Sequence, residues 1–270
     1  MKADRVLMCL NNNPIYTGFW NVFSPVWKKK WGVIPTLIFV GTEEELESNN
    51  FSTEFGEIVR LDPVPEVVTD PSLDWSVTWA LYYGTSLFPD DVCFTTGIDQ
   101  VLLSDRYFKW IDSVEDDKYV IGFADAYDNY DLNTLGYKSK KEGFFFPTSH
   151  QCGKGKTFQE IFQFEDTWEA EAKKVFAKRH EYDVVGRQNL WGLDETYASD
   201  KIAEWEDNEK RLVRVRNFWS DVFPTRIERG GKNMSFNPNS LKAGAYFELH
   251  SPRPYEQNKE FVDLVLKHLN

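Results

Sequence analysis

Apolar and polar positions along the chain fall into two periods, and the first half alternates between them. Arg5 to Leu10 form a short apolar run that the polar stretch Asn11, Asn12, Asn13 and Pro14 stops, which predicts a first strand and a loop. Phe19, Val22, Phe23, Val26 and Trp27 then recur at i, i+3, i+4, i+7 and i+8, the apolar stripe of a helix, with Pro25 expected to kink or divide it. Ile34 to Gly41 predict a second strand, Thr42 to Ser48 a short acidic helix, and Glu57 to Pro65 a third strand stopped by prolines. From Ser72 onward, Val77, Ala80, Leu81 and Gly84 share one helical face. Asp91 to Gly97 and Lys118 to Asp125 predict further strands, and Gly143 to Ser149 is a candidate for another. This alternation implies crossover units and a largely parallel sheet with helices on both faces.

The second half is more mixed. Cys152 to Phe164 suggest a glycine-containing loop opening into a helix, Thr167 to Arg179 a helix, and Asp194 the approximate start of another. Arg211 to Phe218 alternate apolar and charged residues, as an edge strand does, and Gly244 to His250 predict a strand. Val262, Val265, Leu266 and Leu269 give the stripe of a final helix. No internal repeat or domain boundary interrupts the pattern, so residues 1–270 are expected as one α/β domain.

Composition narrows the picture. With 41% apolar residues over 270, the chain can bury a large core. No segment approaches the roughly 18 uncharged apolar residues of a membrane span, and the start lacks the apolar core of a signal peptide; a cytoplasmic protein is expected. Three cysteines at wide spacings signal neither a disulfide framework nor a zinc ribbon. Cys9 and Cys93, inside apolar runs, are expected as buried thiols, and Cys152, in a polar loop, as exposed. The net charge of −12 repels duplex nucleic acid unless bases cluster locally, as at Lys28 to Lys30, Lys138 to Lys141 and Lys210 to Arg216. Each of these clusters also reads as a solvated face.

Candidate chemistry comes from strand ends, because ligands of open α/β sheets bind beyond the carboxyl ends of the strands. Asp99, Asn11 to Asn13 and Asp125 all follow apolar runs. A strand-end aspartate either caps the next segment or waits for a metal and a phosphate. The Cys152-Gly153-Lys154-Gly155-Lys156 segment lacks phosphate-loop spacing, which excludes a nucleoside triphosphatase of that type. Its glycines permit close backbone approach to a ligand and Lys154 or Lys156 can reach an anion there, or the segment is a plain helix entry with Thr157 near the cap. Asp194 and Glu195 begin a helix after Trp191 and Gly192, a position that suits capping as well as chemistry.

The stretch from Asp90 to Phe108, "DDVCFTTGIDQVLLSDRYF", resembles the central signature of nucleotide-sugar-dependent glycosyltransferases of the GT-A fold. The order of "SPVWKKKWG", this motif, the Gly-Lys-Gly loop with "TFQEIF", "WGLDE" and a late "HSPRPY" resembles a group common in large viruses and bacteriophages, which would place the protein in a host cytoplasm. The likeness covers roughly Arg5 to Tyr255. It implies a GT-A-like, mostly parallel sheet, with a nucleotide-sugar-binding half over residues 1–125 and an acceptor-binding half over 126–270. It also implies transfer of a hexose or pentose from a nucleotide-diphosphate sugar to a hydroxyl, on a glycan or a modified base. Alternatives are a transferase for hydroxymethylated pyrimidines in DNA and a non-catalytic sugar-nucleotide-binding module.

The motif of that family reads Asp-any-Asp, with the last carboxylate on a divalent cation and the first on the ribose or sugar. Here it reads Gly97-Ile98-Asp99, so one carboxylate is missing. By resemblance, Asp99 and the late His250 are the ligands of Mn²⁺ or Mg²⁺. Asn11, Asn12, Gln100, Lys154, Arg229 and Arg253 are the donor contacts, with the arginines on the diphosphate, where guanidinium grips phosphate oxygens bidentately. By the same resemblance Asp194, with Glu195 next, is the general base or contacts the acceptor sugar, and Trp191 either stacks on an apolar sugar face or packs in the core.

Overall fold

The computed structural model describes residues 1–67, 75–128, 144–182, 192–215, 225–229 and 236–269. Trp191 and the basic run 137–141 lie outside the described residues. The strands are β1 (Arg5–Leu10), β2 (Ile34–Val40), β3 (Glu57–Leu61), β4 (Val92–Thr95), β5 (Gln100–Leu102), β6 (Tyr119–Gly122), β7 (Gln151–Lys154), β8 (Leu212–Val215), β9 (Thr225–Ile227) and β10 (Tyr246–His250). The helices are α1 (Trp20–Trp31), α2 (Glu43–Ser48), α3 (Trp75–Ser86), α4 (Arg106–Ile111), α5 (Gly155–Phe162), α6 (Trp168–Ala177), α7 (Arg179–Tyr182), α8 (Leu193–Glu204), α9 (Asn208–Arg211), α10 (Pro238–Lys242) and α11 (Tyr255–Leu269).

Seven strands form the main sheet in the order β3-β2-β1-β4-β7-β6-β8. β1 pairs in parallel with β2 and β4, and β6 with β8; only β7 runs against its neighbours. The mostly parallel sheet expected from the alternating pattern is therefore present. β8 sits at the sheet edge, as its alternation of apolar and charged residues predicts. A second sheet of three strands, β5-β10-β9, stands beside it.

The period-2 pattern of β1 sorts its side chains to two cores. Val6, Met8 and Leu10 pack with Phe19, Phe23 and Trp27 of the α1 region and with Val262 and Val265 of α11. Leu7 faces the other side, with Trp79 and Tyr82 of α3 and Phe158 and Phe162 of α5. Phe19, Phe23 and Trp27 are fully buried, each contributing on the order of 2 kcal/mol of apolar transfer. That stripe holds both halves of α1, so the helix runs unbroken through Pro25, contrary to the expected division. It ends at Gly32, whose φ of 70° lies in the left-handed region that favours glycine. The acidic α2 forms under a capping box, with Thr42 and Glu45 satisfying each other's backbone amides.

Three expectations fail around β7. Cys152 is fully buried within the strand, not exposed in a loop. The glycines after it serve packing: a Cβ on Gly155 would lie 2.3 Å from the carbonyl oxygen of Phe88. The close approach is to the chain itself. Residues 144–149 precede β7 without forming a strand. Among the described residues, no helix is long and apolar enough to cross a membrane.

Candidate active site

The sheet order changes direction at β1, whose neighbours β2 and β4 lie on opposite sides. Such a point opens a crevice at the carboxyl ends of the strands. A cleft of about 470 Å³ occupies it, lined among others by Asn11 after β1, Asp99 after β4, Asp194 and Glu195 on α8, and His250 and Arg253 after the body of β10.

Asp99 is held at the rim by the small sheet. Gln100 pairs with His250 across β5 and β10, and the Ser251 amide donates to the Asp99 carbonyl at 2.8 Å. This register sets the His250 ring beside the Asp99 carboxylate, Nε2 to Oδ2 being 3.5 Å. Arg229 Nη1 donates to the same Oδ2 at 2.7 Å, and Arg253 Nε lies 3.5 Å from it. The Arg253 guanidinium also covers the Tyr16 ring, 4.7 Å from its centroid. Burial works against the charge on Asp99, but the hydrogen bond and charge of His250, reinforced by Arg229, hold its pKa below the ordinary value. Burial likewise works against a charged His250, yet Asp99 and Glu228 raise its pKa. Glu228 Oε1 is 2.6 Å from His250 Nδ1, which Arg226 Nη2 also approaches. Arg226 in turn lies 2.7 Å from Glu228, and 3.6 Å from Glu248, whose other oxygen pairs with the buried His150.

The donor set does not fit the divalent cation that the resemblance implies. Asp99 Oδ2 is taken by Arg229, and both nitrogens of His250 face carboxylates. A first carboxylate at position 97 would displace the side chains now beside it. A Cβ at Gly97 would lie 2.9 Å from Gln100 Oε1 and 3.0 Å from Asp99 Oδ1. Gln100 folds back into that space, and its Oε1 accepts from the Gly97 amide at 2.8 Å and from Thr96 Oγ1 at 3.3 Å. No group of three or more His, Cys, Asp or Glu suited to a metal occurs among the described residues. Each guanidinium about 4 Å from an added divalent cation would oppose it by roughly 8 kcal/mol, twice the unit-charge value at the dielectric near a protein surface, and Arg229 and Arg253 both lie close to Asp99.

Asp194 and Glu195 occupy the first turn of α8, whose N-cap is Gly192 at φ 86° with no side-chain cap bond. Asp194 is 5% exposed; it is not the cap. Burial pushes its pKa well up, against a smaller opposing pull from the backbone amides at the helix start. Glu195 is raised too, by burial first and then by the charge of Asp194. The Tyr127 hydroxyl lies 3.0 Å from both Glu195 oxygens. Each of the two therefore keeps its proton to higher pH than an exposed acid would. Cys9 lines the cleft wall with its side chain partly exposed; desolvation of the thiol pushes its pKa up, and the charges of Asp194 and Asp99 push the same way. Both carboxylate sites thus look onto one space.

Several sequence expectations need correction. Asn11 lines the cleft, but Asn12 is exposed and accepts from Asn49 at 2.9 Å, because the loop turns it outward. Lys154 sits where β7 pairs with Val92, the start of β4 and so the end remote from the rim; its Nζ lies 3.3 Å from Asp116. The antiparallel course of β7, invisible in its apolar pattern, puts it there. After β6 the cleft is lined by Phe123, Ala126 and Tyr127, not Asp125. Gln100 is at the cleft with its oxygen committed to the turn. Sequence reasoning missed Arg226, Glu228 and Tyr127. The alternation Arg226-Ile227-Glu228 was a signal: Ile227 is 1% exposed while both neighbours turn to the site.

A main sheet with one reversed strand, a small second sheet carrying the late histidine, and a cleft at the strand ends define the GT-A-like fold. Among solved structures, the chain is similar to galactosyltransferase LgtC in complex with donor and acceptor sugar analogs, at TM-score 0.51 and 11% identity over 98% of this chain and 95% of that one. An active-site mutant of LgtC matches with TM-score 0.52 and 11% identity over 96% and 95%. At such identities the likeness is one of fold. No protein-family model and no curated protein matches the chain.

Proposed function

We propose that the protein is a glycosyltransferase that moves a sugar from a nucleotide-diphosphate sugar to a hydroxyl. The observation that carries this reading is the meeting, in one cleft of a GT-A-like fold, of a cationic cluster with a carboxylate pair of raised pKa. The donor lies with its diphosphate toward Arg229 and Arg253 and its nucleoside toward Asn11 and Tyr16. As the bond between sugar C1 and the diphosphate oxygen breaks, the bonding pair leaves with the nucleoside diphosphate. The acceptor oxygen forms the new bond to C1, and its proton passes to the Asp194–Glu195 pair. A base with a raised pKa accepts that proton near neutral pH better than an exposed carboxylate does. The LgtC structure was obtained with donor and acceptor sugar analogs, which supports a two-substrate cleft here.

The experiment is a panel of nucleotide sugars scored for thermal stabilisation, then for sugar release and transfer. A ligand at about 100 times its dissociation constant adds roughly 2.7 kcal/mol. If no nucleotide sugar stabilises the protein, the reading fails. A second reading, a binding module without turnover, is favoured by Gly97 in the motif. Stabilisation by a donor without its hydrolysis or transfer would select it.

A further inference from the structure

We infer that this cleft holds the diphosphate of its ligand with guanidinium groups in the place where the GT-A resemblance puts a divalent cation. Asp99 then anchors those groups instead of binding metal. The inference rests on the donor-binding reading above and concerns how that site manages charge.

Three observations carry it. First, Asp99 Oδ2 is approached by Arg229 at 2.7 Å, and by Arg253 and His250 at 3.5 Å each. One carboxylate oxygen thus gathers more positive charge than it can neutralise, and Arg226 stands behind His250 with Glu228 and Glu248 as counter-charges. Second, the space of the missing motif carboxylate is filled by Gln100, whose side-chain oxygen already takes two hydrogen bonds. The turn is built around a glycine, not damaged by one. Third, both arginines line the cleft, and Arg253 lies over the ring of Tyr16, which lines it too. A guanidinium offers a planar fork that pairs with two phosphate oxygens, and its charge persists at any physiological pH. When the C1–oxygen bond breaks, the electron pair settles on the diphosphate oxygen, and the fixed cations stabilise it without a metal. Asp99 touches the arginines and is a positioning residue.

The test uses the full chain, treated with EDTA. Inorganic pyrophosphate, then UDP, GDP and ADP, are titrated calorimetrically in EDTA and again with Mn²⁺ at matched ionic strength, allowing for the Mn²⁺–phosphate complex in solution. Mn²⁺ alone is titrated with detection by electron paramagnetic resonance. The inference expects the same affinity with and without Mn²⁺ and no protein-bound Mn²⁺. Arg253→Gln and, as a second folded variant, Arg229→Gln should each weaken binding about tenfold or more, the scale of a lost charge-assisted bond. Binding that requires Mn²⁺, or is unchanged in both arginine variants while their melting curves stay cooperative, overturns the inference and leaves the donor reading standing. If neither pyrophosphate nor any of the three nucleotides binds in either condition, both fall.

Discussion

Arg229 donates to Asp99 across the cleft rim at 2.7 Å, linking the residue that follows β4 to the segment that follows β9. The pair joins the main sheet's open end to the small sheet. Replacing Asp99 by Asn should keep the fold but loosen the arginines. The KM for the donor should rise about tenfold or more, with a smaller effect on kcat. Steady-state kinetics alongside circular dichroism read both quantities; wild-type kinetics in Asp99→Asn would remove this residue from the site.

The same cluster gives a pH signature of stability. Asp99 has a folded pKa below its ordinary 3.8, so its contribution is present above that value and fades as pH falls through the lower folded one. His250 has a folded pKa above its ordinary 6.5, so its contribution is full below 6.5 and fades as pH rises through the raised value. The melting temperature of His250→Gln should therefore fall furthest behind wild type between these limits and approach it at alkaline pH. Parallel melting profiles across the whole range would contradict the assignment.

The carboxylate pair on α8 has the opposite sign. A raised folded pKa means that Asp194 and Glu195 oppose folding as pH climbs above the ordinary carboxylate range. Asp194→Asn should thus stabilise the protein at pH 8 more than at pH 5 while lowering kcat about 100-fold, the scale of general-base catalysis. Calorimetric melts at the two pH values, paired with turnover, make the check.

Tyr127 tunes that pair. Its hydroxyl sits on both Glu195 oxygens, and losing it removes a hydrogen bond that lowers the Glu195 pKa. In Tyr127→Phe the acid limb of the kcat/KM profile should move to higher pH; in Asp194→Asn it should move lower, because a neighbouring charge is gone. A limb that stays put in both would separate the pair from the rate.

Far from the cleft, Arg5 ties the starts of four strands. Its guanidinium reaches Asp91 before β4, Thr36 on β2 and Glu57 on β3. Arg5→Ala should cost about 2 to 3 kcal/mol, since a buried donor loses charged partners, and leave the donor KM unchanged. Urea unfolding gives the first number and kinetics the second.

Much of the scaffold was legible because β1 and α1 each follow a single clean period, and one apolar stripe decides each. Asp99 and His250 were legible for a related reason: both stand where an apolar strand runs out. Other features left no periodic trace. β5 is three residues long, too short for any period. The reversed direction of β7 depends on its partners, so Lys154 was put at the wrong end and Cys152 in the wrong environment. Gly155 looked like room for a ligand because a sequence does not say whose backbone comes close. The part of Gln100 was hidden for the same reason, as it depends on a side chain folding back three residues.

That fold-back makes positions 97 and 100 interlocking. An aspartate introduced at Gly97 would have to evict the amide that closes the turn, and so would forfeit two hydrogen bonds before gaining an ion. The two positions draw on one volume, and a carboxylate at the first enters only as the glutamine swings out of the turn.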